Sequence, residues 1–400
     1  MDTKIAGGIL LIVGTSIGGG MLALPIATAG SGFISSSLLL FGCWVIMTFS
    51  AFLILEVNLW LPPRNNMITM ARQTLGKAGE AAAWISYILL LYALLAAYIS
   101  AGSGVFQEIL AAAHVQPPTG FSAILFVAVF GYIVYRGIQP VDYVNRGLMT
   151  IKLGTLFILI FSAFPYIDLH KLSGGNPRLL APTVTVMLTS FGFATIIPSL
   201  RSYFNDDIKK LRLTILIGSL IPLTCYLLWD FAILGTLPRE GNNGLLEIMQ
   251  QGGSAIELTR SLSYYLNNTS ITAFSHIFTA ICVLTSFLGV SLGLSDFLAD
   301  GLRLEKIGNR NWKVAFITFL PPLAIVLIDP NIFIKALSYA GTFCVVLVIL
   351  LPALMTFSGR YYKKLAVGHY QVAGGKIALI LTIVIALGII GRSFFKFFIS

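Results

Sequence analysis

Residues 14–25 read Gly-Thr-Ser-Ile-Gly-Gly-Gly-Met-Leu-Ala-Leu-Pro, and they sit inside an apolar run, 5–30, that is long enough to cross a bilayer. Gly costs a helix interior about 1 kcal/mol relative to Ala, so Gly18, Gly19 and Gly20 in succession, with Pro25 beyond, disfavour a continuous helix. The competing reading is close helix packing, but packing motifs space small residues three or four apart. A break at membrane depth frees backbone groups that are tolerated only where they line a cavity or meet a ligand. Exposed N–H groups near Gly18, Gly19 and Gly20, at the positive end of the following half-helix, suit a carboxylate. Carbonyls ending the preceding half suit a cation.

The pattern has an echo. Thr15-Ser16-Ile17-Gly18 precedes Pro25 by seven residues from the glycine, and Thr189-Ser190-Phe191-Gly192 precedes Pro198 by six. Five spans separate the two copies, and an odd number turns the second upside down. Interrupted helices in corresponding places of two inverted halves point to a transporter site at the bilayer midplane. In the second copy Gly192 supplies backbone polarity, and Phe191 or Phe193 offers an aromatic face to close over an apolar or aromatic side chain.

Composition agrees with a membrane chain. Of 400 residues only 10% are charged and 57% are apolar, with mean hydropathy +0.88, whereas soluble chains carry about 25% charged residues. Soluble enzyme, fibrous and disordered classes are excluded, and apolar runs of about 20 residues exclude a barrel of short strands. The reading places eleven helices at 5–30, 32–61, 81–111, 120–135, 148–167, 182–200, 212–235, 271–299, 313–328, 332–357 and 376–395.

With a cytoplasmic N-terminus, 19 of the 26 Lys and Arg residues fall on cytoplasmic loops, among them Arg64, Arg146, Arg201, Arg303, Lys306, Arg310 and Arg360. The positive-inside rule fixes this orientation, and the net charge of +10 is topological, giving no support to a nucleic-acid partner. The start Met-Asp-Thr-Lys fits no cleavable leader. Cys43, Cys225, Cys282 and Cys344 read as packing residues, with no metal site and no cofactor implied. The external stretch 236–270 contains GLLEIMQQ and IELTRSLSYYL, which suit short surface helices.

GTSIGGGMLALPIATAGSGF, LLYALLAAYISAG, LTSFGFATIIPSL, NDDIKKLR and LTSFLGVSLGLSDFLAD together resemble the hydroxy and aromatic amino acid permease family, nearest the tyrosine- and tryptophan-specific permeases, over essentially the whole chain. The resemblance implies an all-α integral membrane protein of the amino acid/polyamine/organocation superfamily, with a LeuT-type 5+5 inverted repeat and discontinuous helices 1 and 6. Its units would be 1–167 and 182–357, followed by a loop and additional helix over 358–400. It implies proton-coupled amino acid uptake across the bacterial inner membrane, with the C-terminus periplasmic.

Carried over by motif, Thr15, Ser16, Gly18, Gly19 and Gly20 receive the α-carboxylate. Ser190, Phe191, Phe193 and Ala194 meet the amino group and side chain. Tyr92 resembles the tyrosine of helix 3 near the substrate, with Tyr98 the less secure match. Thr285 and Ser286 match the hydroxyl pair that holds sodium, with carbonyls near Gly14 and Ile17, in sodium-coupled relatives. Ala194 departs from the aromatic permeases, which carry His after the Gly-Phe pair.

Lys152 resembles the lysine that occupies the sodium position in proton-coupled superfamily members. Burial disfavours a charged ammonium, which suits a group that gains and loses a proton. The alternative is a lysine snorkelling to the interface. Glu56, Asp230, Asp296 and Asp300 lie nearer helix ends and suit interfacial solvation or gate ion pairs, and His276 suits a structural hydrogen bond near the outer end. One proton suffices energetically: about 2.3 kcal/mol per 100 mV, at about 1.4 kcal/mol per tenfold, gives roughly 50-fold accumulation of a neutral zwitterion. No GxxxxGK[ST] phosphate loop is present. An exchanger, a sodium symporter and a carrier of another neutral amino acid keep the same fold. A channel would need oligomeric rings, and an enzyme a nucleophile or metal cluster at membrane depth. Oligomeric state is left open.

Overall fold

A computed structural model describes residues 3–63, 65–115, 117, 118, 120–302, 312–365 and 370–399. Arg64, Arg303, Lys306 and Arg310 lie outside the described residues, as does the side chain of Arg146. The described chain is helical throughout: α1 Thr3–Ser16, α2 Gly19–Thr28, α3 Phe33–Leu59, α4 Met67–Ala112, α5 Phe121–Tyr135, α6 Ile138–Ala163, α7 Leu169–Leu172, α8 Val184–Ser190, α9 Ile197–Tyr203, α10 Ile208–Thr236, α11 Leu245–Gln250, α12 Ala255–Leu266, α13 Thr269–Gly301, α14 Trp312–Ile328, α15 Phe333–Cys344, α16 Leu351–Tyr361 and α17 Gly375–Ile399. Among the described residues eight helices are long and apolar enough to cross a membrane, and the pair α1 and α2, bent by 52° at its break, makes up to nine. Helices α5 and α14 are apolar but shorter. This is a multi-pass membrane protein.

Local chemistry sets the ends. Asp207 caps α10, its Oδ1 accepting from Lys210 N at 3.1 Å, so the helix starts four residues before the expected 212. Helix α4 starts at Met67 rather than 81, because Asn66 caps a first segment and Gly76, at φ +76°, turns it into the main rod. Both expected surface helices form, as α11 and α12. The carboxylate of Glu108 on α4 accepts from Arg260 Nε at 2.7 Å and lies 3.0 Å from His276 Nδ1, tying α12 to α4 and α13.

Small residues set the tightest helix contact beside the second break. A Cβ added to Gly341 of α15 would collide with the carbonyl of Thr185 on α8, and hydroxyls cross the same seam, Thr185 to Ser338 at 2.9 Å and Thr189 to the Leu337 carbonyl at 3.2 Å. Between α15 and α16 the ladder loosens into a π turn, Val345–Leu350, buried at Val345, Leu347, Val348 and Ile349. Its Val348 carbonyl accepts from the Ser50 hydroxyl of α3. Such turns concentrate at functional sites.

Two charged nodes pin other elements to the end of α3. Glu56, fully buried, accepts from Arg360 Nε at 2.7 Å and Nη2 at 2.5 Å, and from the Val372 N–H at 2.7 Å. Arg201 of α9, 5% exposed, donates to the carbonyls of Asn58 and Leu61 and pairs with Asp206 at 2.6 Å. Its guanidinium therefore adds a donor to carbonyls at the end of α3, where the helix supplies fewer of its own. The four cysteines are free and buried.

Candidate functional site

The ladder of the first span fails where the glycines gather. Ile17 N still reaches the Val13 carbonyl at 2.9 Å, and the next closed turn is Met21 N to the Gly18 carbonyl at 3.1 Å. Between them Gly18 is extended, with φ −161° and ψ −150°. The freed groups find partners across the bundle. Gly19 N donates to Ser286 Oγ at 2.9 Å, Lys152 Nζ donates to the Ile17 carbonyl at 2.6 Å, and the Tyr226 hydroxyl lies 2.7 Å from the Ser16 carbonyl.

Lys152 is 1% exposed, so it does not snorkel. Its ammonium also reaches Thr285 Oγ1 at 3.4 Å, while that hydroxyl donates to the Ile281 carbonyl at 2.9 Å. Helices α6 and α13 thus deliver a cation and two hydroxyls to the break. Of the four groups expected around the coupling ion, Ile17 and Thr285 contact Lys152, and Ser286 bonds Gly19 instead. Gly14 stands a turn away, where an added Cβ would sit 2.8 Å from the methyl of Met149.

The second span unwinds differently. Helix α8 ends at Ser190, Phe191 bridges, and a 3-10 turn over Gly192–Ile196 leads into α9. The Ser190 carbonyl lies 2.7 Å from the same Tyr226 hydroxyl, which has one proton to share between the two breaks. Phe191, Phe193 and Ala194 are fully buried, and the Phe191 ring meets Tyr226 edge-on at 5.2 Å. Ser190 Oγ donates back to the Val186 carbonyl at 3.0 Å, and an added Cβ on Gly20 would stand 3.0 Å from it. Ser16 Oγ is buried and unpartnered.

Two expected residues fall outside this group. Thr15 is exposed, its hydroxyl turned back to the Leu11 and Ile12 carbonyls at 3.0 and 2.9 Å. The Tyr92 hydroxyl is engaged at 2.8 Å by the Ile317 carbonyl of α14. Tyr98, also on α4, is the tyrosine that reaches the break, its ring edge 2.5 Å from where a Cβ on Gly19 would be. The expectation for Asp230 also needs correction: it is 1% exposed and, among the described residues, has no ion pair, so neither interfacial water nor a gate bridge accounts for it.

A partly open cavity of about 590 Å³ lies between the start of α4, the 3-10 turn with α9, and the end of α13, lined by Asn66, Tyr87, Thr195, Ser199, Asp296 and the π-turn residue Leu347. It approaches the second break through Thr195, three residues from Gly192. Among the described residues no group of three His, Cys, Asp or Glu side chains is placed to hold a metal ion.

The model of the tryptophan/tyrosine permease family matches residues 1–393. The chain belongs to that family. It is 34% identical to the tyrosine-specific transport system 1 of Haemophilus influenzae over 96% of this chain and 94% of the relative. It is 31% identical to the tryptophan-specific transport protein of the same organism, over 94% and 92%. A protein named glutamine transporter 2 from Aliivibrio fischeri is 30% identical, over 97% and 98%. This member of the permease family is a transport protein and not an enzyme.

Proposed function

We propose that this permease imports an aromatic amino acid, tyrosine or tryptophan, together with a proton, by alternating access across the bacterial inner membrane. The observation that carries the reading is the shared Tyr226 hydroxyl, 2.7 Å from the carbonyls of both Ser16 and Ser190, with the Lys152 ammonium 2.6 Å from Ile17 beside it. Two breaks at one depth leave N–H groups of Gly18 and Gly20 for a carboxylate, joined by that of Gly19 when the ligand takes the place of Ser286 Oγ. Carbonyls near Ser190, with Ser16 Oγ, would take the amino group. Phe191, Phe193 and Ala194 would contact the side chain. Lys152 replaces a coupling metal ion: when it is protonated the ammonium cross-braces α1, α6 and α13, and loss of the proton releases the brace.

In this reading the fold is a LeuT-type 5+5 inverted repeat of eleven spans, counting α5 and α14, with 1–167 and 182–357 as its halves and 358–400 following. The N-terminus is cytoplasmic and the C-terminus periplasmic. The cavity beside α9 then opens to the cytoplasm, and α11 and α12 cover the outer side, which makes this the inward-facing form. Substrate, proton and lipid are the partners.

A second substrate reading has its own support. Ala194 stands where the resemblance places His, and a relative as similar as 30% is named for glutamine, so another neutral amino acid fits the same backbone cradle. Uptake into proteoliposomes of twenty labelled amino acids, with and without an imposed pH gradient, decides between them. Tyrosine or tryptophan entering and accumulating with the gradient is expected. If neither enters nor competes, the aromatic assignment fails; if accumulation ignores the gradient, proton coupling fails.

A further inference from the structure

Asp230 is the one buried acid in the spans that the proposed cycle leaves unused and that has no counter-charge among the described residues. Glu56, by contrast, is bound by Arg360 and the Val372 N–H. Asp230 is 1% exposed, and its Oδ1 is buried without a hydrogen-bond partner. Buried polar atoms without partners are rare in folded proteins, and a carboxyl enclosed in the membrane is a functional group by default.

Its position gives the group a place in the cycle. Asp230 follows Tyr226 by four residues on α10, hence on the same face and about 6 Å further along the axis. Tyr226 is the residue whose hydroxyl spans the two breaks. Helix α10 packs against α1, α2, α3, α6 and α7, so its buried face looks onto both halves of the broken first span. Any change in separation of the two breaks is therefore felt one turn away at Asp230.

The other titratable groups on these neighbours are accounted for. On α10 they are Cys225 and Tyr226 beside Asp230, with Lys209, Lys210 and Arg212 in the first turns at the far end of the helix. Helix α1 offers Lys4 at its far end, and α2 has none. Helix α3 offers Cys43 and the paired Glu56. Lys152 of α6 is held by Ile17 and Thr285, Tyr143 is exposed, and the side chains of Asp142 and Arg146 lie outside the described residues. Lys171 of α7 donates to the Thr236 carbonyl at 2.6 Å, Asp168 caps α7 by accepting from His170 N at 2.9 Å, and Tyr166 adjoins. On α13, which meets α10 through Phe278 and Trp229, Cys282 faces Lys152 and His276 is engaged by Glu108. No cation among them is bonded to Asp230.

We propose that Asp230 is a second proton-carrying group of the transport cycle, in addition to Lys152. Its carboxylate forms an O–H bond with a proton taken from outside water while the outer half of the pathway is open. It returns that proton to water after the pathway has turned inward. No electrons move, and the carboxyl is regenerated each turn. The proposal rests on the transport reading above.

The test uses the full-length protein in proteoliposomes, with labelled tyrosine, tryptophan and glutamine as probes. Two assays are run: counterflow at equal pH, which needs no net proton movement, and accumulation driven by a pH gradient. For Asp230→Asn, which keeps the size and removes the titration, the expected result is counterflow within about threefold of wild type. Its accumulation should fall to about the square root of the wild-type ratio, the level that one proton on Lys152 sustains, and the pH dependence of its uptake should weaken. Asp230→Glu, retaining a carboxyl, should recover part of the accumulation. Wild-type accumulation in Asp230→Asn overturns the proposal. So does loss of counterflow and accumulation together in an Asp230→Asn protein that remains monodisperse in detergent, because a carboxyl needed only for packing fails both assays. Absence of counterflow for all three probes in the wild type counts instead against the transport reading itself.

Discussion

The two breaks do the same topological job with opposite chemistry. At the first, three freed groups meet something polar: Gly19 N meets Ser286, Ile17 O meets Lys152 and Ser16 O meets Tyr226. At the second, one carbonyl reaches Tyr226 and the remainder is a 3-10 turn packed in aromatic and methyl groups. In the proposed reading the carboxylate common to all amino acids is met at the first break, and the side chain, which differs between them, at the second. On that proposal coupling and selectivity reside in different spans and should respond to mutation separately.

The sharpest way to break that division is Lys152→Ala. An uncompensated Ile17 carbonyl and an empty space the size of a lysine should reduce gradient-driven uptake at least tenfold, measured as accumulation in proteoliposomes, while the ranking of competing amino acids stays the same. A changed ranking would mean the first break also selects. The glycines come next. A methyl on Gly18 collides with Ser286 Oγ, whereas one on Gly192 meets nothing within 4 Å. Gly18→Ala should therefore cost about tenfold in uptake and Gly192→Ala no more than about twofold; equal losses would erase the asymmetry between the breaks.

Tyr226→Phe keeps the ring against Phe191 and deletes only the hydroxyl shared by the two spans. A net hydrogen bond is worth about 1 kcal/mol, so a three- to tenfold change in half-saturation concentration is expected, with thermal stability lowered by a few degrees. The smallest effect lies outside the candidate spans. Glu257 on α12 has a buried, unpartnered Oε2, and burial holds its carboxyl above the usual range. An acid whose folded pKa is raised stabilises the fold below its unfolded value, and that contribution is lost as pH rises through the folded one. Glu257→Gln should consequently raise the melting temperature by a degree or two at pH 7 and leave it unchanged at pH 4.

The first break was legible because three adjacent glycines are a local signal, and the second because Ser190-Phe191-Gly192 repeats it. Lys152 was legible as a charge too deep to be idle. Partners were harder to read. Tyr92 and Tyr98 share one apolar helix, and six residues rotate it by about 600°, so they occupy different faces; which face meets Gly19 depends on how α4 packs. Tyr226 is one tyrosine in an apolar span, and nothing nearby in sequence marks it as the tie between residues 16 and 190. The 304 positions separating Glu56 from Arg360 likewise hide a pair that only tertiary packing forms. Gly76 concealed a continuation, since a glycine before a helix looks like its boundary whether or not another helical segment precedes it.

The Val372 N–H on Glu56 gives the stretch leading into α17 a meaning beyond connecting two helices. Glu56 collects three donors from two stretches of chain after the second break, one of them a main-chain group that no side-chain substitution can supply. Chimaeras that exchange C-terminal segments between relatives should carry residues 56, 360 and 370–372 as a single block. A splice that separates them strands a carboxylate in the interior, and its penalty would be misread as evidence about substrate choice.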